Sequence, residues 1–125
     1  MVGKTKTIHA NVTAQTTALF IKSGELEVLS TPSLIAFMEQ AASELVSEDL
    51  DPAQTSVGTK LAIEHVAASP VGAIVSATAT ILSQIGRRIE LELSATDEQG
   101  TLLGRGTHHR VIVDKAGFMA KLENK

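Results

Sequence analysis

Residues 30–47 read STPSLIAFMEQAASELVS, and the fold turns on this stretch. Thr31 offers a hydroxyl at the expected N-cap, and Pro32 follows at the first helical position, where its missing N–H costs nothing. At about 100° per residue, Leu34, Phe37, Met38, Ala41, Ala42, Leu45 and Val46 gather on one half of a helix, with Ile35 near the edge. Gln40, Ser43 and Glu44 take the other half. Glu39 falls at the border of the apolar arc, beside Ile35 and Val46. The spacing predicts a mostly buried helix with one carboxylate at the margin of its buried face. Pro52 blocks continuation after the acidic run Glu48-Asp49-Leu50-Asp51.

On the N-terminal side, residues 7–20 are Thr-rich and alternate weakly, which predicts an edge strand or an extended segment. Ser23-Gly24 reads as a turn and residues 25–29 as a connector. On the C-terminal side four strand-like runs follow. Residues 56–66 set Leu61, Ile63 and His65 against Lys60, Ala62 and Glu64. Residues 73–82 put Val75, Ala77, Ala79 and Ile81 on one face. Residues 89–96 alternate most cleanly, Ile89, Leu91, Leu93 and Ala95 against Glu90, Glu92, Ser94 and Thr96. Residues 102–113 make the last run, before a short helical tail. Gly86-Arg87-Arg88 and Asp97-Glu98-Gln99-Gly100 are tight turns, too short for parallel crossovers. The chain is therefore read as α+β, with a curved antiparallel sheet wrapped around one long helix. One helix cannot cover five strands, so the pattern also predicts a second copy, as a homodimer or a tetramer.

The 125 residues suit one domain spanning 1–125, large enough for an aliphatic, alanine-rich core. There is no cysteine, hence no disulfide or thiolate chemistry. A net charge of −3, with three Phe and neither Trp nor Tyr, argues against a nucleic-acid partner. The polar start and the absence of an apolar run of ~18 residues point away from a leader or a membrane span. The expectation is a cytoplasmic protein.

Several residues carry possible chemistry. Glu39 at the helix border suits a base or nucleophile. His65 shares an apolar strand face, where a lone histidine is more often a hydrogen-bonded core residue than a catalyst. Gly58 reads as a bulge, which bends a strand and also frees a backbone N–H for an oxyanion. His108 and His109 are adjacent, so they point to opposite faces and cannot chelate one ion. No third ligand stands at a metal-like spacing, and a metal site is rejected. Arg110 shares the face of His108 and can anchor a substrate or pair with Glu39. Arg87 and Arg88 are a solvated pair at a turn, or a fork for phosphate oxygens.

Four stretches together carry a resemblance: TPSLIAFMEQAA, QTSVGTKLAIEHVAASPVG, the GRR turn and GRGTHHRVIVD. In this order and at these separations the chain resembles the hotdog-fold acyl-CoA thioesterases, within them the branch related to fluoroacetyl-CoA thioesterase. The resemblance covers nearly the whole chain from about Ser30 onward. It implies a hotdog fold, a small acyl-CoA substrate, no cofactor beyond the CoA of that substrate, and a site near the helix and a dimer interface. It implies a triad at Thr31, Glu39 and His65, an amide facing the thioester at Gly58, and a substrate-positioning arginine at Arg110. In a CoA enzyme Arg87 and Arg88 would meet the 3′-phosphate or pyrophosphate. The branch's specialised member has phenylalanines shortly before the triad threonine, whereas residues 22–29 here hold no aromatic. The resemblance thus extends to thioester hydrolysis and not to fluoroacetyl selectivity. Two other chemistries stay open at this point. An acid–histidine pair on the same fold also serves an acyl-CoA hydratase or dehydratase, and the domain can instead be a non-catalytic acyl-CoA-binding module.

Overall fold

The long helix, α2 (Thr31–Ser47), forms where its apolar spacing predicts, and its buried side chains are Leu34, Met38, Ala41, Ala42, Leu45 and Val46. The structure, a computed structural model, describes residues 1–124. Its N-cap, however, is Ser30 and not Thr31: the Ser30 hydroxyl accepts the Ser33 N–H at 3.1 Å. Thr31 is already helical and Pro32 follows it, which frees the Thr31 hydroxyl for another partner. Ser30 is fully buried, so Ser30→Ala leaves an amide without its acceptor. Its expected cost is about 1 kcal/mol, read as a lower urea midpoint at unchanged slope. Thr31→Ala should leave the midpoint near that of the wild type.

Five strands make one antiparallel sheet: β1 (Thr5–Asn11), β2 (Gln54–His65), β3 (Ile74–Ile85), β4 (Arg88–Thr96) and β5 (Leu102–Asp114). Their spatial order is β1-β3-β4-β5-β2, so β1 and β2 are the edges. The sheet curls round α2, which packs against β1, β2, β3 and β4. Small residues permit the close approach. Ala77, Ala79 and Ala95 on the sheet face Ala41 and Ala42 on the helix within one buried core, and Ile81, Ile89, Leu91 and Leu93 fill the rest. A fully buried side chain of this size contributes roughly 1.5–3 kcal/mol, so this face dominates the stability.

The edge strand expected over residues 7–20 is shorter. After Asn11 the chain turns through a 3-10 segment at Ala14–Thr16 and a one-turn α1 (Ala18–Ile21). Threonine side chains stop the strand by competing for its backbone groups. The Thr16 hydroxyl receives the Thr13 N–H at 3.0 Å, and Thr17 accepts from Phe20 at 3.2 Å. The β3–β4 turn is two residues, with Gly86 at φ +60° in the left-handed region that a tight hairpin requires. The tail forms α3 (Lys115–Glu123), capped by Asp114. Among the described residues no helix is long and apolar enough to cross a membrane.

Candidate active site

The inner face of the sheet is aliphatic except at its β5–β2 side. There His108, Arg110 and Ser56 are buried, beneath the stretch of α2 that carries Glu39. A bulge creates this arrangement. Gly58 pairs with Arg110 and Lys60 with His109, so Thr59 is the extra residue. One inserted residue reverses the alternation of a strand. Ser56 and Gly58 therefore face inward before the bulge, and Leu61, Ile63 and His65 face inward after it. At Gly58 the inward direction is filled by Glu39: a Cβ there would lie 2.7 Å from its Oε2.

Arg110 is held at several points. Its Nε donates to the Ser56 hydroxyl at 2.8 Å, and its Nη2 to the Ser56 carbonyl at 2.9 Å. Its Nη1 donates to Nε2 of His108 at 3.1 Å and reaches Oε2 of Glu39 at 3.4 Å. The guanidinium is nearly buried, while the Glu39 carboxylate is 42% exposed. Burial pushes the Arg110 pKa below the ordinary arginine value, and Glu39 opposes that. A buried guanidinium with a single carboxylate beside it keeps that carboxylate close, because an unpaired buried charge is costly.

The state of His108 follows from its partners. A guanidinium can only donate, so Nε2 of His108 accepts; the other nitrogen, Nδ1, then carries the proton and donates to the Lys60 carbonyl at 2.9 Å. The bare Nε2 makes the ring neutral; burial pushes its pKa down and the Arg110 charge adds to that, against the Lys60 hydrogen bond and the Glu39 charge, which raise it. The 3.5 Å approach of Nε2 to Glu39 is thus a contact and not an ion pair. The linkage sign follows. A histidine whose folded pKa lies below its unfolded value of ~6.5 contributes stability at higher pH, lost as pH falls through the folded pKa.

A second pair stands at the start of α2. The Thr31 hydroxyl and Nδ1 of His65 are 2.8 Å apart, while Nε2 of His65 is shielded and has no hydrogen-bond partner among the described residues. They border a hollow of about 450 Å³ with Val28, Pro32 and Val66. Glu39 borders another, of about 250 Å³, with Ile35, Gly58 and Leu61. Thr31 and Glu39 are eight residues apart on one helix, a rise of about 12 Å. Within one chain, then, Thr31 joins His65, and Glu39 joins Gly58, Arg110 and His108.

Arg87 and Arg88 are exposed at the β3–β4 turn. Arg88 pairs in register with Val111, next to the pairing of Ile89 with Arg110, so the turn lies close behind the Arg110 cluster. His109 points to the outer face, 3.5 Å from Glu90. Among the described residues no group of three or more His, Cys, Asp or Glu could hold a metal ion. Residues 22–29 carry no aromatic, and Leu26 there is exposed. The sequence reading did not assign roles to His108 and Ser56. The available signal was that Arg110, His108 and an inward Ser56 share one face.

The family model described as fluoroacetyl-CoA-specific thioesterase matches residues 12–116. A fluoroacetyl-CoA thioesterase from Streptantibioticus cattleyicolor is 35% identical over 99 residues, which cover 79% of this chain and 70% of that protein. A mutant of the fluoroacetyl-CoA thioesterase FlK, solved in complex with acetyl-CoA, superposes with a TM-score of 0.92 at 29% identity, covering 99% of this chain and 97% of that one. A Thermus thermophilus protein described as a thioesterase superfamily member gives a TM-score of 0.91 at 25% identity, covering 99% and 91%.

Proposed function

This chain belongs to the fluoroacetyl-CoA-specific thioesterase family and is an acyl-CoA thioesterase of hotdog fold, and from that premise we propose that its substrate is a small acyl-CoA, cleaved by Thr31, Glu39 and His65. The observation that carries this reading is the Glu39 carboxylate. It is part exposed and lies against Gly58, at the one break in the β2 ladder. A carboxylate set against the backbone at a bulge places a base where an oxyanion donor is needed, and Gly58 is the residue we assign to that role.

In this mechanism Glu39 takes a proton from water, whose oxygen attacks the thioester carbonyl, or attacks that carbonyl itself to give a mixed anhydride that water then hydrolyses to the acid and free Glu39. The Gly58 N–H stabilises the developing oxyanion. As the C–S bond breaks, Nε2 of His65, which has no hydrogen-bond partner among the described residues, relays to the thiolate the proton that Glu39 took from water. Thr31 orients His65 through Nδ1. Arg110 holds Glu39 and the substrate, and Arg87 and Arg88 meet the CoA phosphates. No step needs a metal or redox cofactor.

The 12 Å of helix between Thr31 and Glu39 favours a site completed between two copies, the Glu39 cluster of one meeting the Thr31–His65 pair of the other. Edge strand β2 suits such a contact, with its Leu61 and the helix residue Ile35 part exposed beside Glu39. We propose a homodimer of single-domain chains, working in the cytoplasm.

Thiol release from acetyl-, fluoroacetyl-, propionyl-, butyryl- and longer acyl-CoAs tests the reading. Short acyl groups should be cleaved, with acetyl-CoA within about 10-fold of fluoroacetyl-CoA, since no aromatic side chain in residues 22–29 selects the fluorine. Saturable CoA-ester binding without thiol release would replace it with the binding-module reading. Hydration of an enoyl-CoA without thiol release would replace it with the hydratase reading.

A further inference from the structure

His108 makes two hydrogen bonds that link separate parts of the site. Through Nδ1–H it is bonded to the carbonyl of Lys60, the residue that closes the β2 bulge. Through Nε2 it receives Nη1 of Arg110, the same nitrogen that reaches Glu39. Its Cε1 would lie 3.1 Å from a Cβ at position 58, so the ring also forms the floor beneath Gly58. We infer that His108 is a positioning residue, a strut that holds the Gly58 bulge and the Arg110 guanidinium in one fixed relation to the Glu39 carboxylate.

Nothing else on the inner face does this. Ser56 fixes the Nε and Nη2 edge of the planar Arg110 group, but it precedes the bulge, whereas His108 ties the Nη1 edge to the residue that closes it. A buried polar side chain on an otherwise aliphatic face has to be satisfied at both nitrogens, and His108 is satisfied by these two groups alone. The tautomer is therefore dictated. Only Nδ1–H with a bare Nε2 serves a carbonyl on one side and a guanidinium on the other. An imidazolium or the Nε2–H tautomer would aim a hydrogen at Arg110 and break the strut.

The inference rests on the thioesterase reading for its catalytic consequence, and not for its geometry. Two variants separate the arms. Asn places an amide near the Nδ1 position and keeps the Lys60 bond, whereas Gln reaches the Nε2 position and keeps an acceptor for Arg110. His108→Asn should lower kcat for acetyl-CoA by roughly 10- to 100-fold with KM little changed, because the reacting carboxylate is no longer held in place. His108→Gln should recover most of that loss. In an Arg110→Gln background, His108→Asn should add little further loss, since it acts through Arg110. A residue that merely filled the core would give losses that multiply, and wild-type kcat in His108→Asn would overturn the proposal. Imidazole nitrogen shifts of the wild type test the strut without activity. They should show His108 neutral and protonated at Nδ1 at neutral pH, and should change in Arg110→Gln. A protonated Nε2 overturns the strut even if thioesters are cleaved. A failure to cleave any acyl-CoA, with those shifts as expected, would sink the functional reading and leave the strut standing. If His108→Asn does not fold, His108→Gln and the nitrogen shifts decide.

Discussion

Glu39→Gln is expected to lower kcat for acyl-CoA hydrolysis by about 10²–10⁴-fold, the range in which a positioned general base contributes. The substitution keeps the volume and removes only the basic oxygen. It leaves the core untouched, because the side chain lies at the margin of the buried face of α2 and is 42% exposed. Arg110 keeps its bonds to Ser56 and to His108, so the guanidinium stays in place although its counter-charge is gone. The urea midpoint should fall as well, because the buried guanidinium loses its counter-charge, so kcat is compared per folded enzyme. Glu39→Ala should lose as much activity or more. Single turnover in ¹⁸O-water tests the covalent role: label in the Glu39 carboxylate marks an anhydride, because base catalysis labels the product acid alone. If Glu39→Gln retains full activity, the carboxylate serves only as the counter-ion of Arg110.

The elements of the fold were legible because their periods are clean. The 3.6-residue pattern of α2 located all six of its fully buried residues, and the alternation in residues 89–96 matches β4 closely. The N-cap was misplaced by one residue because Ser30 and Thr31 are both good caps, and only the backbone decides between them. Ser30 is extended at ψ 150° and Thr31 is helical. The N-terminal strand was read too long because threonine favours strands and also caps helical turns. Which role wins depends on the hydroxyl's partner, here the Thr13 amide for Thr16.

The site was legible residue by residue and less so as a constellation. Strict alternation puts Gly58 on the face of Lys60, Ala62 and Glu64, away from His65. The inserted Thr59 reverses that and brings both inward. Gly58 advertises a bulge in the sequence, but not its size or its register. Alternation offers the pairing of Arg110 with Glu39 as one option, whereas for His108 it gives only a shared face with Arg110 and no metal role. Its role emerges from which atoms a fixed guanidinium and a fixed carbonyl leave to it. The triad residues likewise fall into two clusters because eight residues of helix separate them, a distance the sequence states plainly once the helix is accepted.

Gly58→Ala gives the second large effect, through the geometry of the site. A Cβ at this position would lie 2.7 Å from Oε2 of Glu39, 3.1 Å from Cε1 of His108 and 3.5 Å from Nη1 of Arg110. The backbone of Gly58 has no positive φ, so the added methyl brings no backbone strain. Of the three neighbours, His108 and Arg110 are buried and bonded on several sides, while the carboxylate is the free end of a flexible, part-exposed side chain. The carboxylate must therefore yield, swinging away from the bulge toward solvent. A displacement of about 1 Å in a reacting group costs up to ~100-fold, so kcat should fall by roughly 10- to 100-fold. Stability should fall by about 1 kcal/mol or more, since the buried His108 ring must give at 3.1 Å and the displaced carboxylate no longer compensates Arg110. The imidazole nitrogens of His108 should keep the proton on Nδ1, which distinguishes a displaced Glu39 from a broken strut. A Gly58→Ala protein that hydrolyses acyl-CoA at the wild-type rate would mean that Glu39 reacts from a position away from the bulge, and the oxyanion role of Gly58 would fall with it.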